Sequence, residues 1–172
     1  LPQERCRYVS YADGANRVRS PWSHRAEPFA RRDIPSDLPG SYALCPERRE
    51  ELLKIDELIY HMNPSLRTFF SITEEEIHWL NERLEELLKE NKGRCNRFVL
   101  PAGTQRACFA HVLRTDGKKL VRMLYRHAQS GGKVEDRLFD FANLLSGYFF
   151  QFALWLNAKD AFEEIPFVSR NY

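Results

Sequence analysis

Arg114, Lys118 and Arg122 recur at intervals of four along one stretch of this chain, with Lys119 beside them. At that spacing they share one helix face, a concentration of positive charge suited to holding phosphate. The arginines offer a planar fork for two oxygens, and the lysines a point charge. Just before them comes Phe98-Val-Leu-Pro-Ala-Gly-Thr-Gln, an extended apolar tripeptide followed by a Pro-x-Gly turn. On its own Phe98 reads as an apolar anchor for that loop. A second basic region is the first 45 residues, with Arg5, Arg7, Arg17, Arg19, Arg25, Arg31 and Arg32 against five acids and no lysine. Such a segment favours phosphate or carboxylate partners, or lies solvated along its own domain. Cys6, Cys45, Cys95 and Cys108 show no C-x-x-C pair, so they are expected as free thiols in a reducing compartment, with no metal site. The five histidines are equally isolated.

The elements that must position these groups are helices. At 172 residues, 43% hydrophobic and 29% charged, the chain fits one ordinary globular domain. Its formal charge of +2 gives no general case for nucleic acid. No apolar run approaches the roughly 18 residues of a membrane span. Five prolines in residues 1–45 rule out a long helix there, which predicts an extended arm. From residue 46 to 172 the pattern predicts a helical domain with a short C-terminal tail.

A first helix is expected after Cys45, led by Pro46, with Leu52, Ile55, Ile59 and Met62 on one stripe, ending before Asn63-Pro64. A second opens at the Thr73–Glu76 capping box, buries Ile77, Leu80, Leu84, Leu87 and Leu88, and stops near Gly93. A third covers about Thr104 to His127. Its Gly117 costs roughly 1 kcal/mol against alanine and needs a packing reason. After Ser130-Gly131-Gly132, a fourth runs from about Val134 to Asn157, apolar on nearly every side, as in a helix central to a bundle or covered by another subunit. The prediction is an all-α antiparallel helical bundle with an extended N-terminal arm.

Between about Lys54 and Asn157 the chain resembles the PduO-type ATP:cob(I)alamin adenosyltransferases. The family's Phe-x-Leu-Pro-Gly-Gly is similar to Phe98–Gly103, and its Ala-Arg-Thr falls on Leu113-Arg114-Thr115. Its first-helix Val-Asp-Glu-Leu-Asn is similar to Ile55-Asp56-Glu57-Leu58-Ile59. The resemblance implies that Phe98 faces cobalamin and that Asp56 pairs with Arg114 across two helices. It implies that Arg114, Lys118 and Arg122 hold the triphosphate of ATP with Mg²⁺, and that Asn143 orients the nucleotide. It also implies a homotrimer.

Departures from the family pattern run in one direction. A triphosphate-contacting arginine is replaced by Lys118, a glutamate by Val121, an arginine by Leu144 and an aspartate by Gly147. The family's Thr-Arg-x-Gly-Asp-x-Gly-Thr-Thr phosphate loop has only Tyr11-Ala-Asp-Gly-Ala-Asn-Arg17 as a counterpart. One glycine cannot bring several amides close to a phosphate chain. The preferred reading is a catalytically degenerate subunit that binds no ATP, Mg²⁺ or cobalamin. It would sit in a larger protein assembly such as a mitochondrial ribosome, its arm on partner proteins or RNA phosphates. Mitochondrial placement is expected on that reading and cytoplasmic placement otherwise. The alternative is an active corrinoid adenosyltransferase using Arg114, Lys118 and Asp56 in catalysis and Phe98, Arg122 and Asn143 in binding.

Overall fold

A computed structural model describes residues 45–94, 98–168 and 170. A 3₁₀ turn, Pro46–Arg48, leads into α1 (Arg49–Met62), followed by α2 (Glu74–Glu90), α3 (Gln105–Gln129) and α4 (Asp136–Lys159). Among the described residues extended pairing is confined to one isolated antiparallel bridge, Val99 with Pro166. The fold is the expected all-α helical bundle, with each helix within about two or three residues of its predicted limits. The expected arm, apart from Cys45, lies outside the described residues.

The chain divides into two compact units. The first takes in α1 with the loop to Glu74, and residues 120–140, the second part of α3 and the start of α4. Ile55, Leu58, Ile59 and Met62 of α1 are buried in it, as are Leu120, Val121, Leu124 and Leu138. The α1–α2 loop inserts Phe70 and Ile72. Arg137 sits 5.5 Å over the Phe70 ring and 3.5 Å from Glu74. α3 ends because Gly131 takes φ 89°. The amides of Gly131 and Gly132 then bond back to Ala128 and His127 at 3.0 Å each, closing the orphan carbonyls of the last turn.

In the second unit α4 is the central helix. Phe141, Leu145, Tyr148, Phe152, Ala153 and Leu154 are all at most 1% exposed, as are Leu80 and Leu87 of α2 and Ala107, Ala110 and Leu113 of α3. Two glycines permit the close approaches. A Cβ on Gly117 would lie 3.1 Å from the Ser146 side chain and 3.2 Å from its Cα, so the mid-helix glycine is sustained by contact with α4. One residue further along α4, a Cβ on Gly147 would lie 3.3 Å from Leu84 of α2. Two polar links tie the end of α2 to α4: Asn91 Nδ2 donates to Gln151 O at 2.7 Å, and Trp155 Nε1 to Glu90 at 2.6 Å. Leu88 departs from expectation. It is 47% exposed, because Leu80, Leu84 and Leu87 turn α2 inward and leave the next position facing out.

Candidate functional site

Phe98 lies at the edge of the second unit, in a short ribbon formed with the segment after α4. Leu100 N–H donates to Ile165 O at 2.9 Å, and Phe167 N–H to Phe98 O at 2.8 Å. The ribbon presents its apolar side chains outward: Phe98 is 68% exposed, and Leu100, Ile165 and Phe167 are exposed as well. An edge of this kind is suited to a ligand or partner with an apolar face.

The loop leading from this edge into α3 is fixed by Asn157, which is fully buried. Asn157 Oδ1 accepts from Thr104 N–H at 3.1 Å, and its Nδ2 donates to Ala102 O at 3.1 Å. The same Nδ2 reaches both carboxylate oxygens of Glu164, at 3.2 and 3.3 Å. Gly103 is held at φ 136°, and a Cβ there would lie 2.0 Å from Asn157 Oδ1. Only glycine permits both the backbone angle and the approach. Thr104 Oγ1 then accepts from Ala107 N–H at 3.4 Å and caps α3.

Along α3 the basic residues have different surroundings. Lys119 pairs with the buried Asp116 at 3.0 Å. Lys118 and Arg122 are exposed, and neither has a carboxylate partner among the described residues. Arg114 is half-buried with its guanidinium 4.9 Å over the Phe150 ring. Like charges four apart on a helix cost about 0.2–0.5 kcal/mol per pair, and the described residues do not offset it. That unbalanced stripe is the feature most suited to an anion. Asn143 of α4 is exposed. Its neighbour Ser146 donates to Arg114 O at 3.4 Å.

The expected Asp56–Arg114 fork would join the first unit to the second. Asp56 Oδ1 is buried without a hydrogen-bond partner, and burial raises its pKa above the ordinary carboxylate value. Within the second unit the Arg114 guanidinium lies over the Phe150 ring, a cation over an aromatic face in a partly desolvated setting. A carboxyl whose pKa is raised on folding contributes stability that is present in full at low pH. That stability is lost as pH rises through the folded pKa. Asp56→Asn is therefore expected to leave the midpoint of a thermal melt at pH 7 unchanged or raised. A fall of several degrees would show that the carboxylate is paired after all.

His111, one turn before Arg114, is 4% exposed, and neither ring nitrogen has a hydrogen-bond partner. Its ring centroid lies 6.2 Å from that of Phe150. Burial, and then the Arg114 charge, lower its pKa to about 4. It is a neutral imidazole throughout the physiological range.

Cys108 forms no disulfide among the described residues, Cys45 is buried, and Cys6 and Cys95 lie outside the described residues. Among the described residues no group of three or more His, Cys, Asp or Glu is placed to hold a metal. No helix there is long and apolar enough to cross a membrane. Asn157, Glu164 and Arg94 were not legible as site-forming residues. The only signal was the asparagine ending Ala153-Leu-Trp-Leu-Asn157, and it gave no hint of the loop it clamps.

Comparison with known proteins agrees with the fold. The family model for cobalamin adenosyltransferase matches residues 38–156, and the chain belongs to that family. A corrinoid adenosyltransferase of Bacillus subtilis (strain 168) is 25% identical over 122 residues, covering 68% of this chain and 62% of the relative. The chain thus spans less than two thirds of that relative's length. Among solved structures, a phenylalanine-to-histidine variant of the Lactobacillus reuteri PduO-type ATP:corrinoid adenosyltransferase, complexed with cobalamin and ATP, superposes with a TM-score of 0.63 at 23% identity. The match covers 80% of this chain and 73% of that one. An arginine-to-lysine variant of the same enzyme, complexed with ATP, matches with a TM-score of 0.63 at 24% identity, over 78% and 75% of the two chains.

Proposed function

We propose that this member of the cobalamin adenosyltransferase family has given up adenosyl transfer and serves as a binding or scaffold subunit of a larger assembly. A mitochondrial ribonucleoprotein such as the mitochondrial ribosome is the proposed setting. The observation that carries the reading is what now fills the positions where the family pattern places charge. Val121 is 8% exposed and packs in the first unit. A Cβ on Gly147 would lie 3.3 Å from Leu84 Cδ2, which would have to give by a few tenths of an ångström. On this reading, positions that carry charge in the family pattern now serve helix packing. The basic stripe of α3 and the apolar edge at Phe98 remain as surfaces for partners, and the arginines of residues 1–45 supply further contacts to RNA phosphates or acidic proteins.

Returning the family's aspartate should therefore be costly. Gly147→Asp is expected to destabilise the protein by about 1–3 kcal/mol through overpacking against Leu84, measured by chemical denaturation. A neutral effect would mean that the site retains room for the charge. The assembly itself is tested by tagging the chain in its native cells. It should elute in a particle far larger than a trimer of 20.3 kDa chains, with stoichiometric partners. Elution solely as a monomer or trimer would count against the scaffold.

A second reading, active corrinoid adenosyltransferase, is favoured by the exposure of Phe98 and by the unbalanced charges of Arg114, Lys118 and Arg122. ATP and cobalamin, bound in the Lactobacillus reuteri structures, would then be substrates, with Mg²⁺ balancing the departing triphosphate. Phe98 would lie against the corrin face, and the three cations and Asn143 would take the nucleotide.

A further inference from the structure

The segment after α4 is tied to the Phe98 edge through one buried carboxylate. α4 ends in a reversal where Ala161 takes φ 54° and Phe162 N–H bonds back to Asn157 O at 2.8 Å. Two residues later the Glu164 side chain, 7% exposed, turns inward. Its Oε1 accepts from Asn157 Nδ2 at 3.2 Å and from Arg94 Nη2 at 3.4 Å, and its Oε2 accepts from Asn157 at 3.3 Å. Arg94 also donates to Phe162 O at 2.7 Å, which holds the reversal from the other side. Beyond this knot lie the two backbone bonds to Leu100 and Phe98.

A two-stranded ribbon is marginal by itself, and this one leaves Phe98, Leu100, Ile165 and Phe167 facing outward. These part-covered apolar side chains bury less surface than a packed core would. The fixed part is the polar tie beneath it, where charge-assisted bonds in a water-poor setting are stronger than exposed ones.

We propose that Glu164 is the latch of this edge and that residues 162–168 form a strap. While the carboxylate is bound to Asn157 and Arg94, the strap fixes Phe98 and Leu100 in one place. When the carboxylate is withdrawn, strap and edge separate from the helices together. The helices themselves stay folded, because Arg94 and Glu164 lie outside them. Glu164 is thus a positioning residue, acting on Phe98 through Asn157 and the strap. This goes beyond either functional reading and depends on neither.

Hydrogen exchange on the whole chain tests it. In Glu164→Ala the amides of Leu100, Thr104 and Phe167 should exchange at least tenfold faster. Those of Leu58 in α1 and Phe152 in α4 should stay at wild-type rates. Glu164→Gln keeps one acceptor oxygen for Asn157 but loses the charge facing Arg94, so it should restore part of the protection. Unchanged exchange at the three edge amides in Glu164→Ala overturns the latch. So does equal acceleration in α1 and α4, which would make Glu164 a general stabilising residue. If the alanine variant does not fold, the same comparison in Glu164→Gln decides.

Discussion

Asn157→Ala is expected to lower stability by about 3–5 kcal/mol, the largest loss of any single truncation of a polar side chain in the second unit. The side chain satisfies the Thr104 amide, the Ala102 carbonyl and the Glu164 carboxylate at once, and each group left unpaired costs about 1–3 kcal/mol. A loss of this size lowers the melting midpoint by about 10 °C or more. Asn157→Asp sharpens the test. It keeps the acceptor for Thr104, removes both donor bonds, and sets a negative charge against Glu164. At pH 7 it should be at least as damaging as alanine. A drop below about 1 kcal/mol in Asn157→Ala would mean that the loop into α3 is fixed by other contacts.

The second large effect depends on pH. His111 has a folded pKa of about 4, below its ordinary value of 6.5. Between those values the unfolded chain binds the proton and the folded one does not, so stability rises with pH. The contribution of the neutral ring is complete above about pH 6.5 and is lost as pH falls toward 4. Its upper limit is about 3 kcal/mol, since each tenfold loss of proton affinity on folding corresponds to roughly 1.4 kcal/mol. Asp56 titrates with the opposite sign, so the comparison must be made between proteins differing at residue 111 alone. His111→Leu should match or exceed the wild type at pH 7 and be more stable by about 2–3 kcal/mol near pH 4.5, measured by urea denaturation at each pH. Parallel stability–pH curves for the two proteins would place the acid sensitivity elsewhere.

These two effects also mark where sequence reasoning reaches its limit. The helices were legible because the apolar periodicity of Ile55–Met62 and Leu80–Leu87 is local, and because Pro64, Thr73, Gly93 and Gly131 mark their ends by backbone chemistry. The cost of Gly117 was legible too, and the need for a packing reason; only the fold supplied Ser146 as that reason. Side-chain destination was less legible. The Phe150 ring beneath the Arg114 guanidinium is announced by no local pattern. The Asn157–Glu164–Arg94 knot joins residues up to 70 positions apart, so its parts resemble an ordinary helix end, an ordinary tail and an ordinary loop. The strap was missed for the same reason: Phe98–Leu100 reads as extended, but its partner lies beyond the whole of α4.

On the proposed function, the family fold persists here while the family chemistry does not. The most direct measurement is to incubate the purified chain with ATP, Mg²⁺ and chemically reduced cobalamin, and to follow formation of adenosylcobalamin by its absorbance. No product above the protein-free control is expected. Sustained turnover that disappears in Arg114→Ala would contradict the proposed function.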